Sequence, residues 1–112
     1  MTKEDQILRA KAILTSLMSH VPKEYEVSER WVYEFHTAIE KVEKATAIPL
    51  DEFKIGSGEL RRSVSSGNYV TGEVEYRDGL WCEREILMHK LDSVLIYISS
   101  LQSGIDRSIL TK

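Results

Sequence analysis

Cys82, Glu85, His89 and Asp92 follow one another at spacings of three, four and three. On a helix that spacing stacks a thiol, two carboxylates and an imidazole along one face, the side-chain types that bind metals or form a thiolate–imidazole pair. Cys82 and His89 are nevertheless two turns apart, so their backbones stand about 10 Å from each other and cannot share a metal unaided. The chain also lacks C-x-x-C, H-x-x-H and H-E-x-x-H arrangements, so a zinc site with three or four ligands is not spelled out. The simpler reading is a small buried cysteine beside a solvated polar face. His20 sits near a helix end and His36 on a charged helix face. Neither comes with a nucleophile or an orienting group at useful spacing, so no catalytic residue is assigned.

A second cluster runs from Arg61-Arg62-Ser63 through Ser65-Ser66-Gly67-Asn68. Forked guanidinium donors beside small residues that let backbone N–H groups approach are suited to an anion. With Tyr69 and Arg77 added, the cluster defines a candidate ligand site of Arg61, Arg62, Tyr69 and Arg77. No G-x-x-x-x-G-K-[ST] or G-x-G-x-x-G phosphate loop accompanies it, and a solvated loop is the simpler interpretation. Tyr69, Tyr76 and Trp81 make either an aromatic wall for such a site or part of the core.

These residues need elements to position them. The 112 residues suffice for one domain with a real core and are too few for two. Charged residues make up 29% and hydrophobic residues 42%, a globular rather than disordered balance. The net charge of −3, spread along the chain without a dense basic patch, argues against nucleic acid as a partner. A lone cysteine excludes an intramolecular disulfide and fits a reducing compartment. No signal-peptide core and no apolar run of about eighteen residues is present, so the expectation is a cytoplasmic protein that does not meet a membrane.

Three periodic segments predict helices over about 3–21, 29–45 and 79–101. In the first, Thr2 is the cap with Asp5 three residues on, and Ile7, Ala10, Leu14, Leu17, Met18 and Val21 form the buried stripe. Pro22 ends it, and 22–27 is expected as a polar connection. Ser28 caps the second, whose buried face is Trp31, Phe35, Ala38, Ile39, Val42 and Ala45, with Glu40 and Lys44 paired on the other side. Asp51-Glu52-Phe53 is expected to add one turn that tucks Phe53 under the helices. The stretch 54–77 has no helical period. Its last eight residues alternate like a strand, which must pair with a short partner around Arg62–Ser65 or with another chain. A connection of this length is more often functional than ordinary loops are.

The third helix organises the others. Asp78 is placed as its cap, Glu83 and Glu85 lie in its first turns, and Gly104 is its first stop signal. Leu80, Leu87, Leu91, Val94, Leu95, Ile98 and Leu101 line one face, while Trp81 and Met88 widen it. Ile86, Ser93, Ile96 and Tyr97 lie off that stripe and define a second face, which either the chain's other helices cover or another copy of the chain or a partner protein meets.

Tyr76-Arg77-Asp78 through Cys82, Lys90-Leu91-Asp92 and Leu95-Ile96-Tyr97 together resemble the C-terminal part of small uncharacterised bacterial proteins. The resemblance covers about twenty residues and implies no activity or site residue. The resulting expectation is a mainly α, three-helix bundle-like domain with an extended excursion between helices 2 and 3. It would be a non-enzymatic, cofactor-free interaction module that self-associates or docks through its long C-terminal helix. The alternative is a small-ligand or anion-binding regulatory domain using 61–77.

Overall fold

A computed structural model describes residues 2–68 and 70–110, with side chains described through Leu101. The protein is predominantly α. Helix α1 spans Lys3–His20, α2 spans Glu29–Thr46 and α3 spans Arg84–Leu110. Five short strands complete it: β1 Glu26–Ser28, β2 Leu60–Arg61, β3 Val64–Gly67, β4 Val74–Tyr76 and β5 Trp81–Glu83. They form two sheets, a three-stranded one in the order β1-β5-β2 and the separate antiparallel pair β3-β4.

The first two helices follow from their stripes. Thr2 Oγ1 accepts the Asp5 N–H at 3.2 Å, which caps α1. Ile7, Ala10, Leu14 and Leu17 turn inward beyond it, with Val21 buried just past the helix end. On α2 the buried residues are Val32, Phe35, Ala38, Ile39, Val42 and Ala45, and Trp31 is only partly covered. The ion pair that closes at i,i+4 on this helix is Arg30–Glu34, at 3.6 Å, in place of the expected Glu40–Lys44. Leu87, Leu91, Val94 and Ile98 bring the α3 stripe into the same core.

The start of α3 differs from expectation. Trp81-Cys82-Glu83 is extended and pairs with β1 and β2 in the register Val27↔Cys82 and Leu60↔Cys82. Helix α3 therefore begins at Arg84, five residues later than the period suggests. Gly79 stands before it at φ +79°, a left-handed turn that a helix interior does not contain. Asp78 does not cap the helix; its carbonyl accepts the Trp81 indole N–H at 3.0 Å. The expected connection 22–27 likewise carries part of β1. The two helix starts that follow the strands are cross-tied. Glu29 donates its N–H to the Leu80 carbonyl at 3.0 Å, and Arg84 donates its N–H to the Tyr25 carbonyl at 2.8 Å. Ser28 occupies the cap position of α2 but makes no side-chain capping bond. At the far end α3 passes through Gly104 and continues to Leu110.

The architecture is less plain than a three-helix bundle, because a wedge of chain is bonded to both α2 and α3. The single turn Asp51–Phe53 lies in it. Leu50 and Ile55 are buried on either side of that turn, and Phe53 meets the ring of Tyr97 at 5.4 Å. Glu43 on α2 accepts the Leu50 N–H at 2.7 Å and Lys54 Nζ at 2.9 Å. From the other side, Lys90 on α3 donates to the Glu52 carbonyl at 2.9 Å.

Candidate functional site

The segment expected to carry function is an arm made of β3 and β4. Val64 faces Tyr76, Ser66 faces Glu75 and Gly67 faces Val74, with a bulge between Val64 and Ser66. The pairing of the Tyr76 strand with the residues around Ser65 matches the reading of the sequence, but of the described residues in the expected eight-residue strand only Val74–Tyr76 form one, and Val70 and Thr71 form a turn. Asn68 organises the turn: its Oδ1 accepts the Val70 N–H at 2.9 Å and its carbonyl accepts the Gly72 N–H at 2.8 Å. Gly72 takes φ +73° there.

Alternation divides the arm into two faces. Ser66 Oγ donates to Glu75 Oε2 at 3.2 Å on one of them. Val64, Val74 and Tyr76 share the other. All three remain in water, at 56%, 45% and 43% exposure, and Val70 near the tip is 95% exposed. The Arg62 guanidinium lies 3.8 Å from the Tyr76 ring centroid, a cation–π contact that covers one end of this face.

The base of the arm is held firmly. Ser63 is buried at 2% exposure. Its hydroxyl donates to Glu26 Oε1 at 2.9 Å, and its carbonyl accepts the Arg77 N–H at 2.8 Å. Arg61 bridges the paired strands beside it, donating Nε to Glu26 Oε2 at 3.1 Å and a terminal nitrogen to Glu83 Oε1 at 2.8 Å. Tyr25 donates its hydroxyl to the same Glu83 oxygen at 3.0 Å. The hydrogen bond to Glu26 is the leading reason that the Arg61 pKa is raised, fixing the guanidinium as a cation. At the other root, Arg77 donates to Glu24 Oε2 at 3.3 Å and stacks 3.8 Å from the Trp81 ring centroid.

Arg61, Arg62 and Arg77 thus lie near one another in the fold but are not aimed at one point. Arg61 is engaged by two carboxylates, Arg77 by a carboxylate and an indole, and Arg62 by a phenol ring; Tyr69 lies outside the described residues. Sequence reading placed Ser63 in the anion cluster and Glu83 in the third helix, and missed Glu24, Tyr25 and Glu26, because each of these meets its partner through a contact more than twenty residues long in sequence.

The remaining candidates separate. Cys82 lies on β5 rather than on the helix and is fully buried, so it leaves the line formed by Glu85, His89 and Asp92. Burial pushes its thiol up to about 11. No group of three or more His, Cys, Asp or Glu among the described residues is placed to hold a metal ion. His20 Nδ1 lies 2.7 Å from the Ser16 carbonyl oxygen at the end of α1. His36 is partly buried on a face flanked by the charges of Glu40 and Lys54, and its Nε2 accepts the Ile55 N–H at 2.9 Å. On the second face of α3, Ile86 and Tyr97 pack partly against the core and Ser93 is half-buried, whereas Ile96 is 61% exposed. No described helix is long and apolar enough to cross a membrane.

The chain matches no protein-family model, no curated protein and no solved structure.

Proposed function

We propose that the protein is a non-enzymatic interaction module whose contact element is the β3–β4 arm, and that its simplest partner is a second copy of itself. The observation that supports this reading is the open apolar face of Val64, Val74 and Tyr76 on a pair of strands over which no described element forms a second layer. An isolated two-stranded ribbon is marginal in water, and a covering surface is what such a ribbon lacks. Ser63, Arg61 and Arg77 hold its base, which lowers the entropic cost of presenting it to a partner. Exposed Ile96 extends the reading to the long helix, and the free thiol of Cys82 fits a reducing compartment such as the cytoplasm.

The test is light scattering behind size exclusion at micromolar concentration, comparing the wild type with Val74→Asp and Ile96→Lys. The expected result is a wild type of twice the single-chain mass and a Val74→Asp protein that is monomeric with an unchanged helical spectrum. Burying one valine in such a contact contributes roughly 1.5–3 kcal/mol. A wild type that stays monomeric throughout removes self-association. Dissociation by Ile96→Lys alone moves the contact from the arm to α3.

A further inference from the structure

A groove runs between α1 and α2 that shares no residue with the arm. Two adjoining cavities of about 540 and 200 Å³ lie along it, with Ile13 and Lys41 lining both. The larger places Gln6 and Arg9 of α1 opposite Lys41 and Lys44 of α2; the smaller places Ile13 and Leu17 opposite Tyr33 and Thr37. Numbers rise on one wall as they fall on the other, so the helices are antiparallel and the groove follows both for about three turns. Its exposed apolar surface comes from Ala12, Ile13 and the ring of Tyr33, while Leu17 and Ala38 on its floor are buried.

Charge singles out one end. The chain carries a net −3, yet the larger cavity is lined by Arg9, Lys41 and Lys44 and by no carboxylate among the described residues. None of these three cations forms an ion pair or side-chain hydrogen bond with a described residue. Among the described residues, the one acid lining the groove is Glu34 at the opposite end, already paired with Arg30. Both cavities open to solvent, whereas small-molecule sites enclose most of their ligand.

We infer that the α1–α2 groove receives an amphipathic helix from another protein, laying an apolar seam along Ala12, Ile13 and Tyr33 and setting acidic residues against Arg9, Lys41 and Lys44. Helix-in-groove recognition reads such anchors at intervals of three and four. The cations provide complementarity that steers an acidic helix in and turns a basic one away.

The probes are two helix-forming peptides of about four turns with the same leucine seam, one flanked by glutamates and the other by lysines. Each is titrated by fluorescence anisotropy into the full chain at low and high salt. The glutamate peptide is expected to bind at least about tenfold more tightly, with the difference shrinking in salt. Lys41→Glu/Lys44→Glu should reverse the preference, and Val74→Asp on the arm should leave it unchanged. Both altered lysines are exposed, and a circular dichroism spectrum confirms that each variant is folded. Binding of neither peptide, equal binding of both, or indifference to the lysine substitutions would overturn the proposal. So would saturation by decanoate with the same lysine dependence while the peptides fail, which would make the groove an acyl-anion site. A wild-type dimer that dissociates in Lys41→Glu/Lys44→Glu would instead give the groove to a second copy.

Discussion

His36 Nε2 accepts the backbone N–H of Ile55 at 2.9 Å, joining two residues nineteen apart in sequence. The bond requires a lone pair on that nitrogen and hence a neutral ring. Burial holds the imidazole below its ordinary value of 6.5, and the nearby Lys54 charge acts in the same direction. Near pH 6.5 the unfolded chain takes up the proton while the folded chain resists it. Stability from this group is therefore present above about pH 6.5 and declines as the pH falls toward the folded value. Urea midpoints at mildly alkaline and mildly acidic pH should show this loss in the wild type and a smaller one in His36→Gln, which keeps an uncharged acceptor. Equal losses in the two proteins would remove His36 as the cause.

Glu43 should behave as the keystone of the wedge between α2 and α3. Its carboxylate is held below the usual range chiefly by the Leu50 N–H and then by Lys54. Glu43→Gln retains an acceptor for Leu50 but loses the ion pair, whereas Glu43→Ala leaves the Leu50 N–H without its partner. The expected cost of the alanine change is about 1–3 kcal/mol, and the glutamine change should cost less. Denaturant unfolding measures both, and an alanine variant as stable as the wild type would contradict the assignment.

Two left-handed backbone positions should respond in opposite directions. Gly79 has φ +79°, and a Cβ there would stand 3.3 Å from Glu29 Oε1, so Gly79→Ala should destabilise by about 1–2 kcal/mol. Ala47, at φ 58°, ends α2 with its N–H on the Glu43 carbonyl. Ala47→Gly removes a side-chain clash at that cap and should stabilise by ~0.5–1 kcal/mol. Thermal midpoints that move together rather than apart would count against this account.

Cys82 should be silent to thiol reagents while the chain is folded. It is fully buried, and its pKa of about 11 leaves little thiolate near neutral pH. With dithionitrobenzoate at mildly alkaline pH, colour should appear only after urea is added. Prompt labelling of the folded protein would mean that β5 opens readily.

The buried stripes of α1 and α2 were readable because a period near 3.6 directly encodes which side chains face inward. The turn at Asp51–Phe53 and the pairing of Tyr76 with the Ser65 region were readable for similarly local reasons. The start of α3 was not. Leu80 and Trp81 fall in phase with Leu87 and imitate a first turn, while the strand that replaces it is fixed by β1 and β2, distant in sequence. A strand as short as Glu26–Ser28 leaves no periodic trace of its own. His36 and the arginines failed in another way. Their side-chain types suggested exposure or anion binding, but the groups that neutralise or bond them, Ile55, Glu24, Glu26 and Glu83, come from other parts of the chain. Ion-pair choice at such range is settled by tertiary packing and has no counterpart in spacing.

The pairing of β1 with β5, a strand from the chain's second half, also sets an order of events during synthesis. Helices α1 and α2 need only a short link to meet, and a ribosome adding about 5–20 residues per second exposes them together before β5 exists. Val27 must then wait more than fifty residues for Cys82, its partner in the sheet, and the core residues of α1 and α2 wait for Leu91 and Val94 of α3. The nascent helical hairpin thus travels for several seconds with its inner surface bare, a substrate for chaperones until α3 arrives to seal it.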